Sequence, residues 1–391
     1  MVAPRYPVDF YSDAFIRDPV PHYAQMHAMG PVVWFEQNRC YAATTHATVS
    51  EVLRDADRFR SGRGLSLNDE VNALLIGSSL NSDSPEHERR RSITAAPISR
   101  AAIRPLDVYI EKTAAQLADR LVARQTFDAV GDFAAVLPLA IVVDLVGLSD
   151  EGKGEMLNWA SAAFNLFEGF NARSRASMDD LKGLQAYLGQ YGRREALKEG
   201  GLARRIFDVA PERGFTQEEA AQLMRDYINP SIDTTISAAG FAAYLFATCP
   251  DQWDLLRADP GLIPNAVEEI IRLATPIRAF SRYVAEDTEV AGVPMAAGAR
   301  VMAVYASANR DPGVWADPDR FDVTRRVKAH LGFGHCRHMC MGLHLARREL
   351  IHLIGAMAAR VKHWHLEGEP EVAMNNTIRA FARLPMRVAR G

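Results

Sequence analysis

The chain has 391 residues, 48% of them hydrophobic, and a net charge of −3. That is enough apolar material for a large core, and length alone gives two or three domains as a prior. The small net charge offers no whole-chain case for nucleic acid or a membrane surface. Four cysteines (Cys40, Cys249, Cys336 and Cys340) are too few for a disulfide framework, so a reducing compartment is expected. The N-terminus, Met1-Val2-Ala3-Pro4-Arg5, leads into polar and aromatic residues and not into a signal-type apolar stretch. The longest apolar run, Ala134 to Val143, contains Pro138 and is too short to span a bilayer; it reads as a buried helix. These features point to a cytoplasmic protein.

In chain order, Val32–Phe35 and Cys40–Thr44 flank Gln37-Asn38-Arg39 and predict a hairpin. From about 84 to 275 the pattern is helical. It opens with Asp83-Ser84-Pro85-Glu86-His87-Glu88-Arg89-Arg90-Arg91, where His87 and Arg91 share one face and Glu88, Arg89 and Arg90 form a solvated one. Phe164 and Phe167 lie at i,i+3, a spacing that suits core packing. The segment Asn229-Pro230-Ser231-Ile232-Asp233-Thr234-Thr235 sets a carboxylate beside a hydroxyl, a pair able to relay protons. Pro230 removes a backbone hydrogen bond and predicts a kink; the competing reading of Asp-Thr-Thr is a helix N-cap. Glu269 and Arg272 share a helix face at i,i+3. A strand-rich patch runs from Ser281 to Ala306, followed by an irregular stretch from Asn309 to His330. A final long helix starts near Met341, with Leu343, Ala346, Leu350, Ile354 and Met357 at helical spacing.

Just before that helix comes Phe333-Gly334-His335-Cys336-Arg337-His338-Met339-Cys340-Met341-Gly342. A thiolate at Cys340 gains from the partial positive charge of the helix N-terminus and from nearby N–H groups. A cysteine held this way suits the axial position of a haem iron, where it favours O–O cleavage. The competing reading is zinc, since His335, Cys336, His338 and Cys340 are clustered. Four ligands within six residues do not wrap easily around one tetrahedral ion, and no second ligand pair follows.

Taken together and in this order, the segments resemble a soluble bacterial cytochrome P-450, over about Asp83 to Pro385. Phe333, Gly334, His338, Cys340 and Gly342 match the family's cysteine loop, with Cys336 in place of its second Gly. Asp233, Thr234 and Thr235 match its distal-helix motif, with Pro230 and Ser231 replacing a small pair. The resemblance implies a mainly α fold with small β-sheet regions, one domain over residues 1–391, and haem b held by Cys340. It implies proton handling by Asp233 and Thr234, and propionate contacts from His87, Arg91, Arg282 and His338. It implies a buried structural triad of Glu269, Arg272 and an Arg from the irregular stretch, for which Arg320 in Asp317-Pro318-Asp319-Arg320-Phe321 is the expected residue. The family's pocket segments carry Phe164, Phe167, Phe280 and Phe381, with Asn229 and Arg278 as inward polar candidates.

The function implied is monooxygenation: one oxygen atom of dioxygen enters a substrate C–H bond, with electrons from a separate ferredoxin or flavodoxin and its reductase. Arg89, Arg90, Arg337 and Arg348 are candidates for a positive patch on the cysteine side, or for scattered solvated arginines. The aromatic enclosure suggests a methoxyphenol or methoxybenzoate that is hydroxylated or O-demethylated, with a terpenoid or other alicyclic as the alternative. A reading of another class is a non-catalytic haem sensor or a zinc-binding protein.

Overall fold

The computed structural model describes residues 1–168 and 171–391; the side chains of Glu168 and Asn229 lie outside the described set. Val32–Phe35 pairs antiparallel with Cys40–Ala43, and Arg39 takes a φ of 53° to close the turn. This hairpin is the middle of a six-stranded sheet. Arg5–Tyr6 adds parallel on one side, and Arg300–Ala303, Phe280–Val284 and Phe59–Arg60 extend the other. The strand-rich patch ends earlier than expected: Tyr305–Ala308 is a short helical turn.

Helices make up most of the segment from 84 to 275, and the last long helix is Leu343–Ala358. The helix Asn229–Thr248 packs against Met156–Asn165, Ile263–Ala274 and Leu343–Ala358, so it runs through the main core. Ala129–Val146 forms a continuous helical run that widens on either side of Pro138, and 61% of it is buried inside. By length and composition it is apolar enough to cross a membrane. The helical run extends past Asp132 and Asp144 on either side of the apolar stretch Ala134 to Val143, and most of it is buried, as a buried helix is expected to be.

Pro230 interrupts the helical run, as expected. It lies in the first turn of Asn229–Thr248, where its missing N–H costs nothing. The break comes just upstream, where the tight turn Arg225–Tyr227 separates this helix from Gln217–Met224. The proline ring would clash with the carbonyl four residues back, so a regular helix cannot run through from Asp226.

An isolated antiparallel bridge joins Ile277 and Ile378 beside the central cavity. Ile277 lines that cavity. Side chains alternate along extended chain, so Arg278 and Arg379 fall on the opposite face.

Candidate active site

A cavity of about 730 Å³ lies between the helix Asn229–Thr248 and the cysteine segment. Cys340 sits in its wall. The backbone N–H of Cys340 donates to the Phe333 carbonyl at 2.8 Å, and Gly334 turns the chain with a φ of 71°. Cys336, in place of a glycine, is held at a φ of 53°, a strained region for a residue with a Cβ. The exposed surface of Cys340 opens into the cavity. Burial within the protein pushes its thiol up; the N–H groups of Gly342 and Leu343 and the charges of Arg91 and Arg347 pull it down. Cys336 does not line the cavity. Among the described residues no three His, Cys, Asp or Glu side chains gather as a metal-ligand set, so the zinc arrangement has no geometric basis.

The wall beside Cys340 is cationic. Arg91, Arg282 and His338 all line the cavity. Both ring nitrogens of His338 are buried without a hydrogen-bond partner. Desolvation, then Arg282, His87, Arg91 and Arg337, lower its pKa to about 2. Arg282 is buried, with Nη1 donating to the Ser281 carbonyl at 2.9 Å. Arg91 ties the cysteine loop itself, donating to the carbonyls of Arg337 at 3.3 Å and Met339 at 2.5 Å. Unsatisfied donors and crowded cations on one wall fit the two propionates of a haem, with the Cys340 sulfur placed to ligate its iron. His87 is a different case. Its ring nitrogens lie 3.0 and 3.2 Å from the carbonyls of Ser79 and Arg337, and it stands outside the cavity lining. It packs edge-on against His338 with ring centroids 4.3 Å apart, so it supports that wall of the cavity from behind.

Opposite Cys340, Thr234 and Thr235 line the cavity, and Thr234 donates to the Pro230 carbonyl at 2.7 Å. Asp233 is buried behind them, with Oδ2 unbonded, and burial raises its pKa to about 7. A second buried carboxyl was not anticipated. Glu349, from Leu343–Ala358, lines the cavity, has an unbonded Oε2, and is raised by burial to about 8. A Glu at that spacing from Cys340 looks like ordinary helix surface in the sequence.

The aromatic wall comes from three segments. Phe164 stacks near Phe167 with centroids 6.0 Å apart, Phe167 meets Phe280 at 5.1 Å, and Phe280 meets Tyr305 edge-on at 6.3 Å. All four residues line the cavity. Phe381 does not: it packs on Phe241 and Tyr244, at 4.8 and 5.2 Å. Arg278 does not either. It is buried over the Phe10 ring and donates to the carbonyls of Phe10 and Asn376. At the isolated Ile277–Ile378 bridge Ile277 takes the cavity side and Arg278 turns toward Phe10, while Phe381 is held by Phe241 and Tyr244. Asn229 lies outside the described side chains. Arg225 lines the cavity instead, with no partner among the described residues.

The buried triad forms, but with another arginine. Arg272 grips Glu269 through Nε and Nη2 at 2.7 and 2.9 Å, and Arg325 reaches the same carboxylate at 2.9 Å. Arg320 is exposed and contributes its carbonyl to Arg325. The four arginines of the proposed positive patch are each ion-paired: Arg89 and Arg90 with Glu86, Arg337 with Asp57 and Glu88, and Arg348 with Asp107.

Residues 257–385 match the family model described as Cytochrome P450. The chain is 33% identical over 389 residues to Cytochrome p450 CYP199A2 of Rhodopseudomonas palustris, covering 98% of this chain and 94% of that one. The chain belongs to the cytochrome P450 family. A linalool 8-monooxygenase of Pseudomonas putida is 30% identical over 373 residues, covering 89% of this chain and 90% of that one. The solved structure of CalO2 superposes with a TM-score of 0.86 at 26% identity, covering 98% and 99% of the two chains. As a cytochrome P450, the protein is a haem-dependent monooxygenase that uses a small-molecule substrate, dioxygen and a redox partner.

Proposed function

We propose that this P450 oxidises a small methoxylated aromatic acid or phenol, releasing the O-methyl carbon as formaldehyde. The observation that carries the reading is the convergence of Phe164, Phe167 and Phe280 on the cavity, with unpaired Arg225 on the same lining. Stacked rings hold a flat apolar body, and a guanidinium selects a carboxylate. Arg225 takes the role first expected of Arg278. The second reading, a terpenoid or compact alicyclic, is favoured by the likeness to the linalool 8-monooxygenase.

Haem bound by Cys340 supplies dioxygen activation and the transfer of one oxygen atom to the substrate. The chain's own groups do the rest. Arg91, Arg282 and His338 hold the propionates. Asp233, buried and raised to about 7, is the proton store, and Thr234, which lines the cavity with its hydroxyl held to the Pro230 carbonyl, is the group that hands the proton on. The phenyl rings exclude water and orient the methyl group. Electrons come from a separate ferredoxin or flavodoxin and its reductase. Residues 1–391 act as one haem-binding domain, and four unbridged cysteines suit the cytoplasm.

The test is spin-state titration with methoxybenzoate, methoxyphenol and linalool, followed by formaldehyde assay. Methoxybenzoate should shift the spectrum and lose formaldehyde, and Arg225→Ala should weaken its binding about tenfold while sparing methoxyphenol. Shifts and turnover confined to linalool would establish the second reading.

A further inference from the structure

Glu268 and Glu269 are neighbours on the helix Ile263–Ala274, and they hold different things. Glu269 anchors the irregular stretch through Arg272 and Arg325. Glu268 turns to the cysteine side and takes Arg347, which sits on Leu343–Ala358 outside the cavity lining. Arg347 Nε and Nη2 donate to the two carboxylate oxygens at 2.6 and 2.7 Å. A two-pronged pair of this kind fixes the plane of the guanidinium as well as its place. His330 closes the clamp. Its Nδ1 lies 3.1 Å from the Gly332 N–H, which can only donate, so Nε2 carries the hydrogen that Glu268 accepts at 3.0 Å. Burial works to raise the Glu268 carboxyl, but the bonds from His330 and Arg347 outweigh it and bring it down to about 2, so the carboxylate stays charged.

The clamp faces Phe333. The Arg347 guanidinium lies over the ring, 4.8 Å from its centroid, and the His330 ring tilts against it at 5.6 Å. The carbonyl of the same Phe333 accepts the Cys340 N–H at 2.8 Å. Contacts thus run unbroken from Glu268 through Arg347 and Phe333 to the cysteine. The Arg347 charge reaches the Cys340 thiol, as does that of Arg91. The two cations differ in their surroundings. Arg91 lines the cavity, where propionates offset it; Arg347 stands outside, and its counter-charge is Glu268.

We propose that Arg347 is a positioning residue for the haem thiolate: clasped by Glu268 and His330 and laid over Phe333, it sets a fixed positive charge beside the cysteine loop that favours the reduced iron. Taking up one electron makes the haem site more negative by one charge. A nearby cation therefore raises the potential, and a nearby anion lowers it. The clamp as built nearly balances the two. Removing either half alone leaves the other uncompensated, and the sign of the change tells which half remains. The role is independent of the substrate that the enzyme oxidises.

The test measures the midpoint potential of the substrate-free, haem-loaded protein by spectroelectrochemical titration. Arg347→Gln leaves the Glu268 anion and should shift the potential to more negative values. Glu268→Gln leaves the Arg347 cation and should shift it to more positive values. Simple loosening of the loop would move both variants the same way, because each loses the same pair of bonds. Shifts of one sign in both, or a missing shift in either, overturn the proposal. Glu268→Gln decides alone if Arg347→Gln does not retain haem: a raised potential supports the role, and an unchanged or lowered one refutes it.

Discussion

Arg325 reaches from the loop after Phe321 to Glu269, Nε to Oε1 at 2.9 Å, and completes the ion group that Arg272 begins. Glu269 and Arg272 are fully buried, and Arg272 also donates to the carbonyls of Asn309 and Pro318. Arg325 in turn ties the carbonyls of Ala316, Asp317 and Arg320. One buried carboxylate thus anchors the irregular stretch that leads into the cysteine loop. Arg325→Ala should lower stability by about 1–3 kcal/mol, since Arg272 still holds Glu269. Arg320→Ala should stay within about 0.5 kcal/mol, as exposed positions do. Thermal unfolding of the two variants decides; equal losses would return Arg320 to the triad.

The iron ligand can be tested by substitution within one loop. Cys340→Ala should abolish the thiolate-type absorption of the reduced, carbon-monoxide-bound protein. Cys336→Gly should keep it, and should add about 1 kcal/mol of stability by relieving a side chain held at positive φ. Loss of the spectrum in Cys336→Gly alone would show that the ligand had been misplaced.

For the distal side, Asp233→Asn keeps shape and removes the acid. Substrate binding should survive while turnover falls about ten- to a thousandfold. Thr234→Ala should divert reducing equivalents to peroxide. In the unaltered enzyme the protonated fraction of Asp233 falls as pH rises through about 7, so coupled turnover should decline on that side. Asn at this position should flatten the limb. Wild-type rate, coupling and pH profile in both variants would remove the pair from the proton path.

Glu349 gives a stability prediction. Burial lifts its pKa from 4.5 to about 8, so the folded protein holds this proton more tightly than the unfolded chain. Its contribution is complete below pH 4.5 and disappears as pH rises through 8. The unaltered protein should therefore lose on the order of a few kcal/mol across that window relative to Glu349→Gln. Parallel pH–stability curves for the two proteins would mean that Glu349 is solvated.

Local chemistry in the sequence was enough to locate the cysteine loop, the Asp233–Thr234 pair, the Glu269–Arg272 pair and the hairpin after Val32. In each, the decisive residues lie within a few positions of one another, so spacing alone sets their geometry. The aromatic wall was partly legible for the same reason: Phe164 and Phe167 share a helix face whatever that face meets.

What depended on distant segments was decided by the tertiary structure. Arg278 and Phe381 were drawn away from the cavity by Phe10 and by Phe241 and Tyr244, partners far from them in sequence. The motif pointed to Arg320 as the partner of Glu269; the path of an irregular loop brought Arg325 there instead. Glu349 and Arg225 gained their character from burial, or from the lack of a partner. Both are properties of what surrounds a side chain, and a linear sequence does not carry them.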